Sequence, residues 1–134
     1  MFSRFSPAAR RVLRVAEQEC RNHNHYYVGA EHMLFALIEE KDAHVEAALG
    51  EEKIAAADVY AELKRALGTG DDRVWEGILI TPRLRNVVRS AEAQAGDRDV
   101  EPIDLYRAIR GERGGLAADL LERLRDRGAP SGRV

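Results

Sequence analysis

At 134 residues the chain has the size of one domain, long enough to bury roughly two-thirds of the surface its unfolded form exposes. Its 21 Lys+Arg against 23 Asp+Glu leave a formal charge of −2, with no basic excess for nucleic-acid binding, and 45% hydrophobic residues exclude a disordered chain. The single cysteine, Cys20, excludes an internal disulfide framework, and the most apolar stretch, Val28 to Ile38, is interrupted by Glu31 and His32 and is shorter than the ~20 residues that span a bilayer.

Arg4, Arg10, Arg11 and Arg14 break up any signal-peptide core, so the default expectation is a cytoplasmic chain with no membrane partner. The first predicted helix opens at Ser6-Pro7, a side-chain cap followed by a proline where the missing N–H costs nothing. Ala9, Val12, Leu13, Ala16 and Cys20 then recur at helical spacing as one apolar stripe. A second element carries Val28, Met33, Leu34, Ala36 and Leu37, and a third runs from about Asp42 to Gly50. A fourth helix, Ala56 to Leu67, has Val59, Leu63, Ala66 and Leu67 on one face and stops at Gly68. Gly68 to Asp72 reads as a loop, and Val74 to Ile80, with Trp75 packing the connection, leads onward.

The pattern then repeats. Thr81-Pro82 opens a helix as Ser6-Pro7 does, and Leu84, Val87, Val88, Ala91 and Ala95 reproduce the first stripe position for position. At a slightly shorter offset Val100, Leu105, Tyr106, Ala108 and Ile109 match the second element. Gly114 to Arg125 matches the third, with Leu116, Leu120 and Leu121 standing where His44, Ala48 and Leu49 stand. No partner for the fourth helix follows, because Gly128-Ala129-Pro130-Ser131-Gly132 is linker-like. No run alternates with period two, so no sheet is expected. The fold class is all-α: about seven helices in two pseudo-twofold-related repeats sharing one core. The expected division is repeat one over 1–68, a linker over 69–79, repeat two over 80–127 and a flexible tail over 128–134.

These residues carry a resemblance. Met1-Phe2-Ser3-Arg4-Phe5-Ser6 followed by Ala9-Arg10-Arg11-Val12 resembles the MFxRFT…ARRV opening of the N-terminal repeat domain of ClpA/ClpC-type unfoldases. Asn24 to Leu34 resembles its NHxYIGTEHLL, and Ile80-Thr81-Pro82-Arg83 the FTPR that opens its second repeat. The resemblance covers roughly Met1 to Arg127. It implies a helical pseudo-dimer that receives protein substrates and adaptors for ATPase rings further along the polypeptide. In some ClpC members it also implies recognition of phosphoarginine, by a glutamate in each repeat's TEH motif near the start of a first helix. Carried over, Glu31 takes the glutamate position, His32 the histidine position, and Ser6 the threonine of RFT. Ala30 replaces the motif threonine and Ile80 the family's phenylalanine. In the second repeat Ile103 and Asp104 fall at the glutamate and histidine positions, and an isoleucine cannot pair with a guanidinium, so one degenerate site is implied, not two.

The residues themselves argue against catalysis. The sequence has no G-x-x-x-x-G-K-[ST] loop, H-E-x-x-H, nucleophile elbow or C-x-x-C, and Glu31 and His32, adjacent on a helix, point apart. Cys20, His23, His25 and His32 are of metal-ligating type, but Cys20 falls on the apolar stripe and His25 in the inter-helix loop, so neither a metal nor any other cofactor is expected. Arg10, Arg11, Arg14, Arg83, Arg85 and Arg89 read either as solvated stems or, for Arg10, Arg83 and Arg85, as anion-attracting groups beside two helix N-termini. Phe5 is expected inside and Phe2 at least partly exposed. The expected partner surface is one groove where the starts of the first and fifth helices meet, built from Phe2, Ser6, Arg10, Glu31, Ile80, Thr81, Arg83 and Arg85. The function so read is a non-catalytic module binding protein substrates or adaptors of a Clp-type protease, phosphoarginine-bearing proteins among them. The alternatives are a free-standing regulator competing with a full-length unfoldase, and an interaction domain of a signalling or defence fusion.

Overall fold

The computed structural model describes residues 2–25, 27–68 and 79–128. Among these, seven helices and two very short strands follow in the order α1 (Pro7–Asn22), β1 (Tyr27–Val28), α2 (Ala30–Glu39), α3 (Ala43–Glu51), α4 (Ala56–Leu67), β2 (Leu79–Ile80), α5 (Pro82–Ala95), α6 (Pro102–Arg110) and α7 (Leu116–Gly128). The expected loop at 69–72 and Trp75 lie outside the described residues, as does the tail beyond Gly128.

The stripes face inward as their spacing demands. Ala9, Val12, Ala16 and Cys20 are buried on α1, and Leu84, Val87, Val88, Ala91 and Ala95 on α5. Both helices begin on the same device: Ser6 Oγ accepts from the Ala9 N–H and Thr81 Oγ1 from the Leu84 N–H, each at 3.1 Å. In each half the second helix is central. On α2 Ala30 and every residue from His32 to Leu37 are buried, and α6 buries Pro102, Asp104, Leu105, Tyr106, Ala108 and Ile109. A helix covered on most sides must be packed from several directions, and the contacts show how. α1 packs on α2 and α5 on α6, while α3 crosses to α6 and α7 crosses to α2. Each third helix thus covers the central helix of the other half, and α7, longer than α3, also lies against α4.

Two positions depart from the expected faces. Ala66 is exposed on α4, where Val59 and Leu63 carry the burial, and Leu13 is only half-buried beside fully buried Val12. The expected absence of sheet also needs correction. β1 and β2 pair in parallel, Tyr27 with Leu79 and Val28 with Ile80, and Phe5 bridges Val100 in the same sense. Two-residue pairings show no period, so periodicity could not reveal them.

These pairings fix the symmetry. The Thr81 N–H donates to the Val28 carbonyl at 3.1 Å, and the Ser6 N–H donates to the Val100 carbonyl at 2.9 Å. Ser6 corresponds to Thr81 and Val28 to Val100, so each half hands the start of its first helix to the start of the other half's second helix. Side chains also join the halves: Arg110 on α6, itself paired with Glu122 on α7 (2.7 Å), binds Glu52 at the end of α3 (2.8 Å).

Candidate functional site

The exchange creates two crossings of helix starts with different chemistry. At the α5–α2 crossing, Gly29 is the buried N-cap of α2, and its N–H donates to His32 Nδ1 at 3.1 Å. A Cβ placed on Gly29 would stand 3.0 Å from Glu31 Oε2 and 3.6 Å from Thr81 Cγ2. The space a Cβ would take is filled by the Glu31 carboxylate, which folds back over the cap, toward Thr81. That carboxylate is half-buried, and no hydrogen bond or ion pair holds it among the described residues. Ile80 and exposed Leu79 (64%) form an apolar edge, and Arg85 stands one turn into α5, exposed and unpaired among the described residues.

The α1–α6 crossing is filled from within. Ser6 Oγ donates to Glu101 Oε1 at 2.7 Å. The Glu101 N–H donates to Asp104 Oδ2 at 2.9 Å, and Arg98 grips both Asp104 oxygens at 3.2 Å. Burial alone would raise the Asp104 carboxyl, but the Arg98 guanidinium and the Glu101 N–H outweigh it and hold the group below the ordinary carboxylate range. Asp104 therefore does for α6 what His32 does for α2. Glu101 takes the place of Gly29 and half-buried Ile103 that of Glu31.

The single expected groove is corrected accordingly. Phe2, Ser6 and Arg10 belong to the α1–α6 crossing; Glu31, Ile80 and Thr81 belong to the α5–α2 crossing, with Arg85 nearby. Ser6 meets Glu101, not Glu31, because the twofold exchanges the helix starts. Two arginines are already engaged. Arg10 donates to the Phe5 carbonyl (3.1 Å) and the Ser3 carbonyl (3.4 Å). Arg83 lies over Gly115, pairs with Glu112 at 3.3 Å and reaches the Arg113 carbonyl at 3.5 Å, pinning the α6–α7 turn. Phe5 is buried, and half-buried Phe2 packs on it with ring centroids 5.1 Å apart.

Sequence reasoning missed Arg4, whose guanidinium donates to the carbonyls of Gly96 and Arg98 (2.8 Å for the latter) and ties the N-terminal segment to the end of α5. It also missed Glu101; a carboxylate directly before Pro102 at a helix start was the available signal. The histidines form a cluster of their own. His25 Nδ1 and His32 Nε2 are 2.8 Å apart, Tyr27 flanks both rings, and His23 stacks on His25. Burial, then the neighbouring histidines, lowers His32 to about 4, and His25 is lowered for the same reasons. Among the described residues no group of three or more such side chains is arranged to hold a metal. Cys20 is fully buried, and burial pushes its thiol up to about 12. No described helix is long and apolar enough to cross a membrane.

The comparisons agree with the geometry. Residues 4–124 match the family described as the Clp repeat (R) N-terminal domain. The chloroplastic chaperone protein ClpC of Pisum sativum is 31% identical over 127 residues, covering 92% of this chain and 14% of the pea protein. A ClpA homolog of Porphyra purpurea, an ATP-binding subunit of the ATP-dependent Clp protease, is 29% identical over the same share of this chain and 16% of its own length. Chloroplastic ClpC1 of Arabidopsis thaliana is 31% identical over 127 residues and 14% of its length. The chain thus spans about one-seventh of the length of the curated relatives it matches. With that match over nearly all of its described residues, and with the twofold exchange of helix starts in the structure, the chain belongs to the Clp repeat N-terminal domain family, generally the adaptor- and substrate-interaction module of ClpA and ClpC unfoldases.

Proposed function

We propose that this chain is a non-catalytic module that binds protein substrates or adaptors of a Clp-type protease through its α5–α2 crossing, and that arginine phosphorylated on its guanidinium is the group it takes there. The reading is carried by one observation: Glu31 presents a half-buried carboxylate with no cation of its own among the described residues. A guanidinium offers a carboxylate two parallel N–H donors, and partial burial strengthens that pairing over an exposed one. The anionic end of the same ligand is served by the N-terminus of α5, where the helix dipole favours negative charge, and by Arg85. Ile80 and Leu79 supply apolar contact for the flanking chain.

The α1–α6 crossing does not share this role, because Glu101 already occupies the Ser6 hydroxyl and Ile103 brings no carboxylate. One binding site per chain is the consequence. A fluorescent peptide carrying one phosphoarginine should bind with a stoichiometry of one, and its unmodified arginine counterpart should bind at least tenfold more weakly. Glu31→Gln, nearly isosteric but uncharged, should abolish the preference while leaving thermal unfolding unchanged. Binding undiminished in Glu31→Gln, or a stoichiometry of two, would overturn the reading.

A further inference from the structure

The ring pair beneath Gly29 is a chain with a direction. A backbone N–H only donates, so His32 Nδ1 is the acceptor for Gly29, and the neutral ring carries its proton on Nε2. That proton points at His25 Nδ1, 2.8 Å away, which leaves His25 its own proton on Nε2. The order is Gly29 to His32 to His25. It joins the start of α2 to the loop that follows α1.

Every link requires a neutral ring. A proton on His32 Nδ1 removes the acceptor for the Gly29 N–H, and a proton on His25 Nδ1 meets the His32 Nε2–H donor head-on. Among the described residues the groups facing the pair are His23 and Glu19 from the end of α1, Tyr27 from β1, and, through His23, the Gly68 carbonyl that closes α4. Glu31 on α2 and Thr81 from α5 lie on the Gly29 side. Glu19 is engaged by His23 at 3.3 Å, and His23 Nδ1 lies 2.9 Å from the Gly68 carbonyl. Neither carboxylate bonds His25 or His32, so no counter-ion is in place for a charged ring among the described residues.

We propose that His25 and His32 are positioning residues for the α5–α2 crossing: a latch closed while both rings are neutral, which opens in acid and frees the start of α2, Glu31 included, from the loop that follows α1. The consequence for ligand capture rests on the reading of Glu31 above; the latch itself does not.

The test is nuclear magnetic resonance on the unliganded chain, following histidine ring nitrogens and amide exchange corrected for its intrinsic pH dependence. At pH 7.5 both rings should be Nε2–H tautomers, and both should titrate below the ordinary imidazole value of 6.5. Gly29 amide protection should fall at least about tenfold between pH 7 and pH 4.5, while Ala9, capped by the Ser6 hydroxyl, keeps its protection. His32→Asn, whose amide oxygen accepts from Gly29 without titrating, should hold Gly29 protection level across that range. An Nδ1–H tautomer at His32, titration of both rings at or above the ordinary imidazole value, parallel loss at Gly29 and Ala9, or wild-type acid sensitivity in His32→Asn would each overturn the proposal. Failure of a phosphoarginine peptide to bind at pH 7.5, with Gly29 behaving as stated, would sink the ligand reading and uphold the latch.

Discussion

Replacing the two equivalent helix caps, Ser6→Ala and Thr81→Ala, separates the exchanged arrangement of helix starts from a side-by-side one. Both hydroxyls accept from a backbone N–H at 3.1 Å, so both substitutions lose a cap worth about 1 kcal/mol. Ser6 loses more. It is almost fully buried and donates to the Glu101 carboxylate at 2.7 Å, a charge-assisted bond worth about 1.5 kcal/mol or more. Ser6→Ala should therefore cost about 2–3 kcal/mol against about 1 for Thr81→Ala. Urea unfolding at pH 7 measures both, and a double-mutant cycle assigns the excess. Ser6→Ala with Glu101→Ala should show a coupling of about 1 kcal/mol, and Ser6→Ala with Glu31→Ala should add within about 0.5. Equal costs at the two caps, or coupling of Ser6 to Glu31 in place of Glu101, would refute the exchange.

Other consequences can be measured directly. Val12→Ala removes fully buried methyls and should cost about 2 kcal/mol in urea melts, half-buried Leu13→Ala less, and exposed Arg89→Ala under about 0.5. Arg83→Ala should speed amide exchange in the α6–α7 turn that it pins, with phosphoarginine-peptide affinity unchanged. Gly29→Ala should leave the fold nearly as stable, since its backbone is extended, yet weaken that affinity by displacing Glu31, as titration of the peptide will read.

The stripes made the helical fold legible because each buries one face: Val12 and Val87 are equivalent in spacing, cap and burial, and the sequence alone declares that. α4 was readable to the residue, since its apolar spacing ends on Gly68, a glycine at φ 58° that closes the helix. The site was only half legible. Glu31, Thr81 and Ile80 stand in motifs, but which motif faces which depends on a twofold that linear order does not encode. The repeat pattern groups Ser6 with Glu31, whereas Phe5 and Val100 bring it to Glu101. The arginines failed for a different reason. A long side chain beside a helix start reads as an anion ligand, yet Arg10 and Arg83 reach backbone carbonyls and Glu112, partners set by loop paths with no period.

The two central helices close their first turns with the same bond and opposite chemistry, so acid should part them in sequence. At Gly29 the acceptor is a neutral imidazole; at Glu101 it is a carboxylate. His32 is held at about 4 in the folded chain against the ordinary 6.5, so the unfolded chain binds more protons between those values. Stability from this group is complete above about pH 7 and drains away as pH falls toward 4, with a ceiling of about 3 kcal/mol. Asp104 behaves otherwise. Arg98 and the Glu101 N–H hold its carboxyl below the ordinary 3.8, so its contribution persists until pH falls beneath that value. In a pH series of amide exchange, Gly29 should lose protection first and Glu101 only below the ordinary carboxylate range. Arg98→Ala should move the Glu101 loss upward without altering Gly29. If Glu101 opened before or together with Gly29, the contrast between imidazole and carboxylate acceptors would not be what distinguishes the two halves.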